Sequence, residues 1–154
     1  MTIVAEKIVD RANSAAPPPM QRACGVGGIT TKQRDGATHL STLYQDGCAK
    51  IRLPHTHSRA LEAVLINTAG GLTGGDTMRW SADVAPQGQM VLTTQACERI
   101  YRSIGGPACV QTHLSVGANA HLDWLPQETI LFASSQLGRR IEIDLAPGAS
   151  LTAN

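Results

Sequence analysis

The residues whose types most suggest chemistry lie in a glycine-rich segment, residues 67–77. Four glycines fall within six residues there, at Gly70, Gly71, Gly74 and Gly75. The first and the last have the spacing of a phosphate-binding loop, in which a lysine follows the last glycine. Here Asp76 follows, and a carboxylate would repel the phosphates that lysine neutralises, so the pattern disfavours a nucleotide site. Two interpretations remain: a glycine-rich crossover between sheets, or a loop that presents Asp76 to a partner or a metal ion.

The histidines and cysteines do not form a recognisable closed metal site. His55 and His57 would share one face of a strand, and such pairs bind Zn²⁺, Ni²⁺ or Cu²⁺. No cysteine or carboxylate cluster accompanies them, which favours a surface pair. The cysteines show no C-x-x-C spacing, and free or buried thiols are expected in place of disulfides. They are Cys24, Cys48, Cys97 and Cys109.

Catalysis finds little support in the sequence. Glu98 and Glu128 could pair across strands as acid and base, but ion pairs with nearby arginines are the favoured interpretation. Cys97 stands beside Glu98 without a base at a suitable spacing, and the chain has no G-x-S-x-G nucleophile motif. We therefore predict a protein that is not an enzyme.

Composition narrows the class of protein further. The chain has 154 residues, 13 basic and 12 acidic side chains and a net charge of +1. The charges are mixed along the chain, which leaves no basic face for nucleic acid. No apolar run approaches the roughly 18–20 residues of a membrane-spanning helix, and no signal peptide is recognisable. We expect a cytoplasmic protein that binds neither nucleic acid nor membrane.

The elements that must position these residues are strands. Apolar and polar residues alternate along residues 78–84, 110–116, 120–124 and 141–145. Alternation gives one buried and one solvated face, which is typical of antiparallel sheets. Residues 62–67 and 129–132 are nearly continuously apolar and suit interior strands. The sequence predicts an all-β fold of two stacked, mainly antiparallel sheets with little helix, in which Trp124 and Phe132 anchor the core.

Turn signals and prolines divide the chain. Three consecutive prolines end a polar stretch near the N-terminus, which predicts a flexible, Pro-rich leader over residues 1–22 and a β domain over residues 23–154. Asp35-Gly36 and Asp46-Gly47 favour tight hairpins. The similar turns at Ala85 and Ala146 suggest loosely repeated strand–turn units. The last residues resemble a strand that has just begun, so we expect the domain to be incomplete at its C-terminal end.

Three strings together resemble one family. They are residues 62–76 around the glycine segment, residues 93–103 with Tyr101-Arg102-Ser103, and residues 122–132 with Trp124-Leu125-Pro126-Gln127-Glu128. Each is similar to a signature stretch of the urease accessory protein UreD (also UreH) family, in the family's order. The resemblance runs from about Gly28 to the last residue and covers the first half, or somewhat more, of such proteins.

The resemblance implies a β-helix-like arrangement and a scaffold that is not itself an enzyme. Such a scaffold binds apo-urease and the accessory protein UreF, which recruits the GTPase UreG, and nickel passes through an internal channel without a tightly bound cofactor. Asp76 matches a family position on that route, and Glu98 and Glu128 are further candidates because carboxylates suit a cation in transit. The alternatives are a generic β-sandwich binding module and an inactive truncated fragment.

Overall fold

The computed structural model describes residues 20–154, so residues 1–19, most of the predicted leader, lie outside it. Within the described part the chain forms twelve strands and no helix, which confirms the all-β prediction. The strands are β1 (Cys24–Arg34), β2 (Ala37–Gly47), β3 (Ala49–Arg52), β4 (Leu61–Asn67), β5 (Thr77–Val84), β6 (Gln89–Thr94), β7 (Glu98–Ile100), β8 (Ala108–Val116), β9 (His121–Leu125), β10 (Thr129–Leu131), β11 (Leu137–Leu145) and β12 (Ser150–Ala153).

The strands wind into a solenoid with three faces. The first sheet has the order β11-β8-β5-β1-β2, the second the order β12-β9-β6-β4-β3, and the third pairs β10 with β7. From β4 onward the chain passes from the second sheet through the third face to the first, then turns back into the second. Each such circuit is one coil, and successive coils stack to bury a continuous core.

This winding corrects the predicted strand direction. Only β1–β2 and β3–β4 are antiparallel among the described strand pairs, and every other pair is parallel. A coil returns the chain to each sheet in the same direction, so neighbouring strands from successive coils must be parallel. The prediction of two stacked sheets in a β-helix-like arrangement is confirmed, and the prediction of mainly antiparallel pairing is wrong.

One corner of the solenoid is built from three similar turns. They are Ala85–Gly88, Gly117–Ala120 and Ala146–Ala149, each closed by a backbone bond from the fourth residue to the first, of 2.9, 3.1 and 3.0 Å respectively. Their third residues have left-handed φ values of 60°, 54° and 72°, at Gln87, Asn119 and Gly148. Bonds from Gln87 N to Ala118 O and from Asn119 N to Pro147 O stack the turns. The repeated strand–turn units are therefore successive coil corners.

The core lies between the first and second sheets. Trp80 and Trp124 are 9% and 6% exposed, so both point inward as the alternation predicts. Phe132 is 45% exposed, and its predicted role as a core anchor is wrong. Its ring stacks on Tyr101 on the outward side of the third sheet, opposite to the buried Ile100. Residues 129–132 do not form an interior strand, because β10 is an edge strand of that sheet.

The two Asp-Gly turns differ. Asp35 and Gly36, with φ of 51° and 72°, join the antiparallel strands β1 and β2 as a tight hairpin. Asp46 and Gly47 instead lead from β2 in the first sheet to β3 in the second, so the predicted second hairpin is wrong. The described residues contain no helix that is long and apolar enough to span a membrane.

Candidate functional site

The glycine-rich segment forms the third-face part of the first coil. It connects β4 in the second sheet with β5 in the first, which confirms the crossover interpretation. Leu72 pairs with Ile100 as an isolated bridge: Leu72 N donates to Arg99 O at 2.8 Å and Tyr101 N donates to Leu72 O at 2.7 Å. The segment is therefore fixed against β7 of the next coil by backbone hydrogen bonds.

Close backbone approach explains why glycines occupy this segment. A Cβ at Gly71 would lie 2.5 Å from Tyr101 Cε2 and 2.8 Å from Arg99 O. A Cβ at Gly74 would lie 2.5 Å from Gly106 O and would also overlap Ser103 Oγ. Any larger residue would push the two coils apart. The other two glycines have left-handed φ values of 76° and 86°, at Gly70 and Gly75.

Asp76 is a buried anchor with both carboxylate oxygens occupied by backbone donors. It is 4% exposed. Its Oδ1 accepts from Ala23 N at 2.9 Å and its Oδ2 from Thr73 N at 2.7 Å, while its own N donates to Thr73 O at 3.0 Å. The carboxylate therefore closes the end of the glycine segment and fastens the start of β1 to it.

Glu98 and Glu128 are brought together by the pairing of β7 with β10. Glu98 N donates to Glu128 O at 3.0 Å, and Glu98 Oε1 accepts from Asn67 Nδ2 at 3.1 Å. Glu98 is half-buried and Glu128 is exposed. In residues 20–154 neither carboxylate forms an ion pair within 4.0 Å, so the expected pairs with arginines are absent there.

Three adjacent cavities lie in this part of the solenoid, and the third is an open depression that includes the outer side of β6 and β9. The first, of about 220 Å³, lies between Asn67, Gly70, Gly71 and Cys97. The second, of about 110 Å³, lies between Trp80 and Trp124, and it shares Trp80, Thr94 and Glu98 with the first. The third, of about 660 Å³, contains Glu128 and shares Pro126, Gln127, Thr129, Arg139 and Asn154 with the second. We call the three together the cavity line.

Glu98 holds the central position in the cavity line. It borders the first and second cavities at their junction, while Glu128 borders only the third. Asp76 borders none of the three. The sequence therefore singled out two residues that line the cavities, but it missed Asn67 and Thr94. Only the inward alternation of β5 could have signalled the third residue at the junction, Trp80.

The charges near the glycine segment are of both signs, because Glu98 and Arg99 both line the first cavity and Arg22 lies against Gly75. Burial is the largest influence on the Cys48 thiol and raises its pKa; a backbone hydrogen bond lowers that pKa, and interactions with Cys24, Asp76 and Glu98 raise it by smaller amounts each. No group of three or more His, Cys, Asp or Glu side chains within residues 20–154 is arranged to hold a metal ion. Of the three candidate carboxylates, Glu98 lines the first two cavities, Glu128 is exposed at the third, and Asp76 borders none.

The histidines stand apart from the cavity line. His55 and His57 are exposed in the irregular segment between β3 and β4. His113 lies 3.5 Å from Asp144 and 3.8 Å from Glu142 on the outer face of the first sheet. Another cavity, of about 340 Å³, lies on that outer face and is lined by Arg79, Gln111, His113, Arg140 and Glu142, among others. Sequence reasoning did not anticipate it.

The fold and the cavities define a class of protein: a largely parallel β-solenoid with cavities beside a glycine-rich crossover. Comparison with known proteins gives the family. The family model described as UreD urease accessory protein matches residues 24–153. The chain belongs to the UreD urease accessory protein family.

Curated relatives agree with this assignment. A urease accessory protein UreD of Chelativorans sp. is 60% identical over 139 residues, which cover 90% of this chain and 50% of that protein. The UreD of Rhizobium johnstonii is 53% identical over 91% of this chain and 51% of its own length. The UreD of Agrobacterium fabrum is 52% identical over 84% and 45%. The chain thus spans about half the length of the curated relatives it matches.

Proposed function

We propose that the chain acts in urease maturation as a scaffold without turnover of its own, along whose interior a nickel ion passes towards urease. The observation that carries the proposal is the cavity line, with Glu98 at the junction of two cavities and Glu128 in the third. Membership of an accessory family favours a supporting role over an enzymatic one. The partners proposed are UreF, UreG through UreF, and apo-urease, in the cytoplasm.

The distribution of the candidate carboxylate ligands suits a nickel ion in transit better than one that is stored. Ni²⁺ binds oxygen, nitrogen and sulfur donors, and a closed set of several donors would retain it. Single carboxylates separated along a passage offer weak, successive contacts, so an ion that enters is also able to leave. Asp76 contributes charge to this environment, but its two oxygens already accept backbone hydrogen bonds. Its proposed role in transit is therefore electrostatic, and that of Glu98 is direct contact.

A maturation assay tests the proposal. Purified chain, UreF, UreG with GTP, apo-urease and Ni²⁺ are combined, and the nickel content of urease is measured by mass spectrometry with and without the chain. We expect the chain to increase nickel loading and Glu98→Gln to reduce the increase several-fold. Glu142→Gln, on the exposed outer face of the first sheet, is the matched control. Loading that does not depend on the chain would overturn the function, and this outcome would favour the inactive-fragment alternative.

A further inference from the structure

The outward face of the third sheet carries an exposed aromatic pair. Tyr101 and Phe132 stack with ring centroids 5.2 Å apart and planes 20° from parallel. They are 41% and 45% exposed, and Ile130, two residues before Phe132 on the same side of β10, is 41% exposed. We call Tyr101, Ile130 and Phe132 the aromatic patch. The loop after Tyr101 adds Ile104, which is 73% exposed.

The outer face of the first sheet shows what a merely solvated face of this protein looks like. Residues in register across β5, β8 and β11 form polar rows there: Arg79, Gln111 and Arg140; Ser81, His113 and Glu142; Asp83, Ser115 and Asp144. All of these side chains are exposed or half-buried. The aromatic patch departs from that pattern, and a cluster of exposed large apolar side chains marks an interaction surface.

The patch is rigidly supported. The backbone of Tyr101 is held by the bond from its N to Leu72 O at 2.7 Å, and that of Phe132 by the bond from its N to Ile100 O at 3.0 Å. The Tyr101 ring lies directly against the backbone of Gly71. Fixed aromatic side chains bind partners well because little side-chain freedom is lost on association.

Charge at the border of the patch indicates the chemistry of the partner. Arg99 and Arg102, on either side of Tyr101 in sequence, are exposed, and neither has a carboxylate within 4.0 Å in residues 20–154. Interaction with Tyr101, and to a smaller extent with Cys97, raises the pKa of Arg99 above its ordinary value. Among residues 20–154, both guanidinium groups are therefore cations without a counterion.

We propose that the aromatic patch docks a segment of a partner protein whose apolar side chains are bordered by carboxylates that meet Arg99 and Arg102. The inference rests on the proposed function in taking that partner from the urease assembly. A second copy of this chain is a poorer occupant, because an interface between two identical patches would bring like-charged arginines together. An anionic membrane is also poorer, because two arginines and three large side chains form a small surface for stable anchoring.

The test uses the whole chain immobilised for interferometry against purified UreF and, separately, purified apo-urease. Phe132→Ser is expected to weaken binding of the partner at least tenfold, and Arg102→Glu about fivefold with a loss of salt dependence. Tyr44→Ser is the control, because Tyr44 is also an exposed aromatic residue, 56% exposed on β2 of the first sheet. The Tyr44→Ser variant should bind the partner with the same affinity as the unmodified chain. Circular dichroism verifies that each variant retains its strands.

The outcomes separate the two proposals. If the unmodified chain binds a partner and both patch variants bind equally well, the docking surface is elsewhere and the proposed function stands. If the unmodified chain binds neither protein, both proposals fail. Self-association that Phe132→Ser abolishes, seen by light scattering, would assign the patch to a second copy and overturn the inference. Binding to phosphatidylserine vesicles that Phe132→Ser abolishes would do the same in favour of a membrane.

Discussion

The carboxylate of Asp76 accepts a hydrogen bond from the backbone N–H of Ala23, although 53 residues of chain separate them. The next residue after each begins a strand, β5 and β1 respectively, and these two strands are parallel neighbours. Thr77 N completes the link by donating to Ala23 O at 2.9 Å. Asp76 thus fixes the entry of the chain into the first sheet, at the point where the glycine segment ends.

Replacement of Asp76 should destabilise the fold. In Asp76→Ala the N–H groups of Ala23 and Thr73 lose a charged acceptor, and hydrogen bonds to charged groups are worth about 1.5–3 kcal/mol each. For the two bonds together, we expect the free energy of unfolding in urea to fall by about 3–6 kcal/mol. Asp83→Ala, on the exposed face of the same strand, is the control and should change it little. Equal unfolding midpoints for the two variants would show that Asp76 is not an anchor.

The glycine segment offers a paired test of close packing between coils. Gly74→Ala places a Cβ 2.5 Å from Gly106 O, so the coils must separate, and overpacking of this kind costs about 1–3 kcal/mol. Gly105→Ala places a Cβ with nothing within 4 Å and should leave thermal unfolding nearly unchanged. If calorimetry gives both variants the same midpoint, the contact between the two loops does not constrain the stacking of the coils.

Glu98 and Glu128 should differ in their effect on nickel delivery. Glu98 borders two cavities, whereas Glu128 borders one and is exposed. In the maturation assay, Glu98→Gln should therefore reduce the initial rate of nickel loading more than Glu128→Gln. Glutamine retains an acceptor for Asn67 Nδ2, so thermal stability should stay within about 0.5 kcal/mol of the unmodified chain. A larger effect of Glu128→Gln would argue against Glu98 as the central contact.

Cys48 should be the least reactive of the three cysteines near β1. Burial, then nearby negative charge, raises the pKa of its thiol above the ordinary value of 9.0, whereas Cys24 and Cys109 are exposed. The thiolate is the nucleophile, so iodoacetamide at neutral pH should modify Cys48 most slowly, as peptide mass spectrometry can measure. Faster modification of Cys48 than of Cys24 would contradict the buried placement.

The same shift in the pKa of Cys48 has a consequence for stability. The folded protein holds the Cys48 proton more tightly than the unfolded chain does, so the stabilisation is complete below pH 9.0 and is lost as pH rises through the folded pKa. The free energy of unfolding should therefore decline above about pH 9, and less steeply in Cys48→Ala. Parallel pH profiles for the two proteins would show that another group controls the decline.

Alternation predicted the strands and their inward faces but could not predict their direction. Met78, Trp80 and Val84 are buried as expected, because period two reports only that one face of a strand is covered. It does not report whether the neighbouring strand comes from the adjacent hairpin or from the next coil. The neighbours of β5 in its sheet are β1 and β8. Their separation from β5 along the sequence is larger than the range over which a local pattern carries information. The alternation of apolar and polar residues alone therefore could not predict parallel pairing.

Edge position explains another failure. Ile141 and Ile143 belong to the apolar side of β11, yet they are 43% and 42% exposed, because β11 ends the first sheet in the described residues. Phe132 is exposed for a different reason, because it stacks on Tyr101 on the outward side of the third sheet. In the candidate site, the sequence string that contains Glu98 could be recognised. The position of Glu98 beside Trp80 and Thr94, at the junction of two cavities, could not, because it depends on three faces of the solenoid meeting. Such contacts arise only when the coils are stacked.

The corner formed by the stacked turns at Gln87, Asn119 and Gly148 should tolerate inserted residues less well than the side that bears the glycine segment. A residue inserted into one of these turns would break its bonds to the turns above and below it. The side bearing the glycine segment has connections of different lengths, and a Cβ at Gly105 or Gly106 there would meet nothing within 4 Å. New binding loops can therefore be grafted beside the third sheet without disturbing the spacing that the opposite corner sets.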